Sequence, residues 1–216
     1  MSSVRSPPLQ TENKFAISDP PFLALDRRST LPPNNSNFSL VTSNGCGHMK
    51  LWSTKKGSLT RDFGDRKDTT SEVMKILPNN KDLFINGKDN HLYQYNIQNG
   101  NLIRDLGQAH KYWISAMEST PDSKYLFTGS FSSLKQWDCT TGALVKDYGS
   151  VHNTYIQCMA MTHDGKWLYS GGKSGMIKVI DVEAQTAREF RLDITTPGKP
   201  LLPFLLVLRY VVMSGG

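Results

Sequence analysis

The chain has 216 residues, of which 38% are hydrophobic, 20% charged and 10% aromatic, so it holds enough apolar material for one globular domain and is not disordered throughout. Its 25 Lys and Arg residues outnumber its 19 Asp and Glu residues, but the excess is spread as +1 over 1–37, +3 over 38–110 and +2 over 111–216. Without a basic block, the charge by itself does not indicate nucleic-acid binding.

The first residues of the chain carry little that a core could bury. Residues 1–21 hold four prolines among Ser, Gln, Asn and Thr, and we predict a disordered leader there. They contain no apolar stretch typical of a secretory signal. The three cysteines, Cys46, Cys139 and Cys158, form no Cys-x-x-Cys pair, which favours a reducing intracellular compartment, cytoplasmic or nuclear.

From residue 38 onward the chain repeats itself. The segment 40–64 aligns with 83–107, with 126–149 and, less completely, with 168–190. Four aligned positions are separated by 43, 42 and 43 residues: Trp52, Tyr95, Trp137 and Ile180. Gly57, Gly100 and Gly142 recur at the same intervals, as do Asp62, Asp105 and Asp147. A fixed period of this length indicates a repeat architecture, which we place over 22–193 with units of approximately 22–64, 65–107, 108–149 and 150–193.

Within each unit the local signals are short strands and tight turns. Turn residues at Asn79, Pro121 and Asp164 precede apolar runs, and Asn99-Gly100 follows another. An Asn-Gly pair predicts a type I′ hairpin turn in which both residues have positive φ. Each unit is therefore predicted to be an antiparallel meander. Apolar residues fall on both faces of the third strand, as at 177–182, so we expect the sheets to stack on one another.

These repeats resemble WD repeats, also called G-beta-like repeats. Trp137-Asp138 reproduces the terminal pair of that family, whereas Ser53, Asn96 and Asp181 follow Trp52, Tyr95 and Ile180. The family's inner-strand His matches His110 and His152, and its strand hydroxyl matches Thr42, Thr128 and Ser170, with Ile85 breaking the pattern. Its turn Asp matches Asp89 and is replaced by Cys46, Ser132 and Ser174, so no unit is expected to hold the complete hydrogen-bond network.

The resemblance implies an all-β fold, a β-propeller-like array of about four four-stranded antiparallel blades. The family usually closes its ring with seven blades, so four units imply an open or incomplete ring, which another chain could complete. The atypical apolar tail, 194–216, is either an outer strand of the last blade or a mispredicted end. Its apolar run, 201–213, is too short and too interrupted to span a bilayer.

No catalytic, cofactor-binding or metal-binding residue is predicted. Cys46 and His48 form the nearest pair of nucleophile and base, but no residue nearby would orient them. The five histidines lack metal-ligand spacing, and His110 and His152 are expected to hydrogen-bond within their own blades. We therefore expect a protein that is not an enzyme and needs no cofactor.

The remaining interpretation is a scaffold for protein–protein interactions. In the resembled fold, the loops before inner strands and the turns between second and third strands share one face, which is the usual docking surface. The turns at Asn79, Pro121 and Asp164 would lie on the other face. Two alternatives stay open: Trp113 and Tyr155 could simply pack at blade edges, and the protein could bind RNA phosphates through dispersed Lys and Arg. The candidate partner-binding residues are Lys88, Lys111, Tyr112, Trp113, Phe131, Asn153, Thr154, Tyr155 and Lys173.

Overall fold

The computed structural model describes residues 39–43, 48–53, 56–65 and 69–190, almost all of them in strands or tight turns. The predicted leader and tail, together with Cys46, lie outside these ranges. The strands of the described residues are β1 (Ser39–Ser43), β2 (His48–Ser53), β3 (Ser58–Asp65), β4 (Thr69–Ile76), β5 (Asp82–Gly87), β6 (His91–Asn96), β7 (Leu102–Gln108), β8 (Ala116–Ser119), β9 (Tyr125–Gly129), β10 (Phe131–Asp138), β11 (Leu144–Met161), β12 (Trp167–Gly172), β13 (Ile177–Asp181) and β14 (Thr186–Phe190).

These strands form antiparallel meanders that we call blades 1 to 4. Blade 1 is β1-β2-β3 and blade 2 is β4-β5-β6-β7, whereas β8 to β14 form one seven-stranded sheet. This sheet comprises blades 3 and 4, because β11 pairs with β10 over its first part and with β12 from Ile156 onward. The predicted all-β, propeller-like array is confirmed. Among the described residues, apolar cores join blade 1 to blade 2, blade 2 to blade 3 and blade 3 to blade 4, but none joins blade 4 to blade 1, as expected for an open propeller. The repeat boundaries remain predictions.

The blades stack face to face, as the apolar residues on both faces of their strands predict. In β5, Leu83 and Ile85 pack against blade 1, and Phe84, which points to the opposite face, packs against blade 3. All three side chains have no exposed area. A third apolar core, which includes Phe127 and Leu168, joins blades 3 and 4. Blades 2 and 3 thus bury both faces against their neighbours, because alternate residues of a strand point to opposite sides.

The hairpins between the third and fourth strands differ from the predicted turn type. The Gly100 N–H donates to the Asn96 carbonyl at 2.8 Å, and Gly100 has a φ of +77°, but Asn99 has a negative φ. The prediction of a type I′ turn at Asn99-Gly100 is therefore wrong, although the hairpin itself is present. The Asn96 side chain accepts hydrogen bonds from the N–H groups of Gln98 and Asn99, which stabilises a longer turn with one left-handed residue at Gly100.

A β-bulge recurs in the outer strand of blades 1, 2 and 3. In blade 2, the Asp105 carboxylate accepts the Gly107 N–H at 2.7 Å, and Gly107 has a φ of +76°. The pairing register shifts at this point, since His91 pairs with Gln108 and Tyr93 pairs with Asp105. Asp62 and Asp147 make the same contact with the glycine two residues later. The recurring Asp residues of the sequence therefore mark bulges, which bend outer strands and disturb their free edges.

Candidate functional site

A buried hydrogen-bond network connects the inner, second and third strands of blade 3. The Trp137 indole N–H donates to the Thr128 hydroxyl at 2.8 Å, and Thr128 also bonds the His110 Nε2 at 2.7 Å. His110 Nδ1 lies 2.8 Å from the hydroxyl oxygen of Ser133. A neutral imidazole satisfies this arrangement, since one ring nitrogen donates and the other accepts. The expectation that His110 bonds within its own blade is confirmed.

Ser133, and not Ser132, occupies the position at which the WD-repeat family has its turn Asp. The turn between β9 and β10 is tight: the Ser130 N–H donates to the Ser133 carbonyl at 3.0 Å, and Ser132 has a φ of +60°. Ser132 points elsewhere, with its hydroxyl 3.3 Å from that of Ser150. The assignment of Ser132 was therefore wrong by one residue. Blade 3 completes its network with a hydroxyl in place of a carboxylate.

The other blades hold reduced versions of this network. In blade 1, the Trp52 indole N–H donates to the Thr42 hydroxyl at 2.9 Å. In blade 4, His152 Nε2 lies 2.9 Å from the Ser170 hydroxyl, but the His152 Nδ1 is buried without a hydrogen-bond partner among the described residues. Ile180, which occupies the Trp position there, packs in the apolar core between blades 3 and 4.

Both buried histidines are held in the neutral form. Burial, and to a smaller extent the nearby Lys135 ammonium, lowers the pKa of His110 to about 4. Burial likewise lowers the pKa of His152 to about 4, with Lys178 as a second cause. These side chains are 2% and 5% exposed, so neither can reach a ligand on the surface. Their position and their bonds assign them a structural role.

Four exposed aromatic side chains meet where blades 3 and 4 join. Tyr112 contacts Phe131 with ring centroids 5.3 Å apart, Phe131 contacts Tyr155 at 5.0 Å, and Tyr155 contacts Trp113 at 6.4 Å. All three contacts are edge-to-face, an arrangement favoured by the ring quadrupoles. The four residues are nonetheless 36–47% exposed. We call this row the aromatic ladder; it unites four of the nine residues that the sequence singled out.

The backbone of the ladder is fixed by hydrogen bonds that sequence reasoning missed. The Ser130 hydroxyl is within hydrogen-bond distance of the Tyr112 and Trp113 carbonyls, at 2.7 and 2.8 Å. The Ser115 hydroxyl donates to the Ile156 carbonyl of blade 4 at 2.6 Å. No sequence signal marks these serines, because a contact from a hydroxyl to a loop carbonyl depends on the path of the loop. They hold the ladder in one geometry.

The other candidate residues lie around the ladder. Asn153 and Lys173 are exposed, and the Lys173 N–H donates to the Tyr155 carbonyl at 3.0 Å. The Lys111 ammonium lies 5.4 Å from the centroid of the Tyr112 ring. Thr154 differs, because its hydroxyl is buried without a hydrogen-bond partner among the described residues. Lys88 is exposed in a short 3-10 turn, Lys88–Asn90, whose Asn90 amide donates to the Lys111 carbonyl at 3.1 Å.

The comparison with protein families agrees with this geometry. A family model described as the WD domain, G-beta repeat, matches residues 100–140 and 144–181. Residues 100–140 and 144–181 of this chain are WD repeats. The first match contains Thr128, Ser133 and Trp137 of the blade 3 network, and the second contains His152 and Ser170 of blade 4. A search of curated proteins found no match.

WD40 repeats are generally non-enzymatic scaffolds for protein interactions. Within the described part of this chain, no group of three or more His, Cys, Asp and Glu side chains is arranged to hold a metal ion. The described residues also include no helix with the length and hydropathy that a bilayer crossing requires. The feature that most resembles a binding surface is the aromatic ladder.

The two ends of the stacked blades differ in chemistry. The ladder lies at the end formed by the loops before inner strands and the turns between second and third strands. At the opposite end, the Asn79 N–H donates to the Ser123 hydroxyl at 2.9 Å, and Gly165 lies against Pro121. That end carries Asp side chains that cap its turns, such as Asp164, whose pKa is lowered by hydrogen bonds from Thr162 and Lys166. The polar groups of these turns therefore form hydrogen bonds with one another.

Proposed function

We propose that this protein is a non-enzymatic scaffold that binds partner proteins through the aromatic ladder. The observation that carries this proposal is that Tyr112, Trp113, Phe131 and Tyr155 remain 36–47% exposed while they contact one another in a row. Large aromatic side chains left in water are costly unless a ligand covers them, and Tyr and Trp are over-represented among the residues that dominate protein interfaces. This function would require neither a cofactor nor a conformational change.

The mechanism is the rigid display of these side chains. Phe131 and Tyr155 are paired across β10 and β11, so both stand on a continuous sheet rather than on a free loop. Tyr112 and Trp113 lie in a loop whose carbonyls are held by the Ser130 hydroxyl. A surface that is ordered before binding loses little conformational entropy when the partner arrives, which favours affinity.

The proposed location is a reducing intracellular compartment. Cys139 and Cys158 are both buried in the structure, and neither forms a disulfide bond. Burial also raises the pKa of the Cys139 thiol to about 12. Buried thiols that form no disulfide bond, as these two are, suit the cytoplasm or nucleus, where thiols remain reduced.

The test is affinity capture with the full chain, followed by quantitative mass spectrometry. The double variant Tyr112→Ala, Trp113→Ala is compared with a matched control, Leu102→Ala, Leu144→Ala, whose side chains are 47% and 44% exposed but lie on outer strands away from the ladder. We expect the ladder variant to lose its partners by about tenfold or more and the control to keep them. Equal partner recovery from both variants, at equal thermal stability, refutes the proposal.

A further inference from the structure

The segments that build the aromatic ladder contain no acidic residue. The loop 110–115, the turn 129–135, the crossing strand 150–157 and the turn 171–177 together hold Lys111, Lys135 and Lys173 and not one Asp or Glu. The turns at the opposite end are mixed, with Asp82, Asp122 and Asp164 beside Lys81, Lys124 and Lys166. Within these four segments lysine is therefore the only charged residue type, and the adjoining turn Lys88–Asn90 adds one Lys and one Asp.

Two of the lysines at the ladder have no acidic partner among the described residues. Neither Lys111 nor Lys173 forms a salt bridge with any residue of the described ranges. Lys111 instead places its ammonium 5.4 Å from the centre of the Tyr112 ring, and Lys173 is joined by its backbone to the strand that carries Tyr155. Lys135 and Lys178, on the third strands β10 and β13, differ because each faces a carboxylate, at 3.6 and 3.2 Å.

We propose that the ladder binds an acidic linear peptide of a partner protein, with one or two apolar side chains seated on the aromatic rings and flanking Asp or Glu side chains beside Lys111 and Lys173. This inference rests on the proposed function and adds the chemistry of the partner. Charge complementarity of this kind selects among partners and speeds association, while the buried apolar anchors supply most of the affinity. A cationic ligand is excluded because it would meet unpaired ammonium groups.

The geometry of the rings favours a peptide over a single-stranded nucleic acid. Bases bind proteins by stacking flat on open aromatic faces. In the ladder, the ring planes of Phe131 and Tyr155 stand at 81° to each other, and the Tyr112–Phe131 and Trp113–Tyr155 pairs stand at 63°. Each ring of these pairs thus meets its neighbour edge to face. Such a row does not offer the parallel ring faces on which successive bases would stack.

The experiment is selection of a random dodecamer peptide library, displayed on phage, against the purified full chain. The enriched peptides are then synthesised and their dissociation constants measured by fluorescence anisotropy, together with analogues in which each Asp and Glu is replaced by Asn and Gln. We expect enrichment of acidic residues around Leu, Phe, Trp or Tyr. We also expect about tenfold weaker binding of the amide analogues, since neutralising the peptide removes its attraction to two lysines.

Three variants locate the binding. Lys111→Glu, Lys173→Glu should weaken the acidic peptides by about tenfold or more and leave the amide analogues unchanged, because only the charge complementarity has been altered. Tyr112→Ala, Trp113→Ala should weaken both kinds of peptide. Lys81→Glu, Lys166→Glu, at the opposite end of the blades, makes the same change of charge and should affect neither.

The outcomes separate this inference from the proposed function. Enriched peptides that depend on Tyr112 and Trp113 but are neutral or basic would overturn the acidic-peptide proposal and leave the scaffold function standing. Failure of the library to enrich any peptide would also overturn the acidic-peptide proposal. Peptides unaffected by Tyr112→Ala, Trp113→Ala would overturn both proposals. Tighter binding of a labelled oligo(dT) or oligo(U) than of any selected peptide would overturn the peptide proposal in favour of nucleic acid.

Discussion

Replacement of Thr128 by Val tests whether the buried network of blade 3 stabilises the protein. Valine has nearly the same shape as threonine but lacks the hydroxyl. In the native protein that hydroxyl meets the Trp137 indole N–H at 2.8 Å and the His110 Nε2 at 2.7 Å. Thr128 has no exposed area, and Trp137 and His110 are 6% and 2% exposed, so water cannot replace the lost partner.

The expected cost follows from the number of polar groups left without a partner. Each buried donor or acceptor that loses its hydrogen bond costs about 1–3 kcal/mol. Thr128→Val leaves two such groups, one on His110 and one on Trp137, whereas the added methyl group recovers little in a site already packed. We therefore expect the free energy of unfolding to fall by about 3 kcal/mol. Ser170→Ala in blade 4 removes a single bond, to His152, and should cost about half as much.

The assay is urea unfolding, monitored by tryptophan fluorescence and circular dichroism. Free energies of unfolding are compared only between variants whose free energy depends on urea concentration with the same slope. Thr128→Ser is the control, because it keeps the hydroxyl and loses only a methyl group, at a cost of about 1 kcal/mol. If Thr128→Val unfolds within about 0.5 kcal/mol of the unaltered protein, or no worse than Thr128→Ser, the network does not stabilise the fold and the reasoning fails.

Three further predictions concern the buried side chains. The folded-state pKa values of His110 and His152, about 4, lie below the ordinary value of 6.5, so the unfolded chain binds protons that the folded chain excludes. Stability should be full above pH 6.5 and fall by a few kcal/mol between pH 6.5 and pH 4 in urea titrations, whereas a flat profile would contradict neutral burial. Gly172→Ala should cost about 1–3 kcal/mol in the same assay, because a Cβ there would lie 2.6 Å from His152 Nδ1; an unchanged midpoint would contradict this contact. Cys139 should react with a thiol reagent at pH 8 only after unfolding, and rapid reaction of the native protein would contradict its burial.

Much of the fold follows from the period of the sequence. A spacing of 42–43 residues identified the blades, and the apolar residues on both faces of the strands predicted that the blades stack. The identity of single residues in turns was harder to predict. Ser132 was chosen over Ser133 because it follows Thr128 by four residues, as Asp89 follows Ile85, whereas the turn after β9 is shortened and places the second serine beside His110. A deletion inside a turn changes which side chain points inward, and sequence alone does not show this.

The sequence singled out residues of the candidate site but did not predict the contacts among them. Tyr112 and Phe131 were placed on one face because loop positions repeat, and the structure brings their rings together. The strand β11 runs from Leu144 to Met161, across the predicted start of the fourth unit at residue 150, and no glycine or proline interrupts residues 150–161. A continuous strand between two blades depends on how those blades are oriented, which the repeat pattern does not encode.

The continuity of β11 explains why the ladder is rigid. Its first part completes blade 3 through Ser150, and its second part begins blade 4 at Ile156, so Tyr155 occupies the point where the strand changes partners. At that point the pairing with Phe131 fixes one side of the strand, and the Lys173 N–H fixes the Tyr155 carbonyl on the other. A loop at the same position would have to be ordered on binding, at about 1–2 kcal/mol for each residue fixed. Because the sheet has already ordered this segment, the aromatic rings can contribute their contact energy to a partner without that loss.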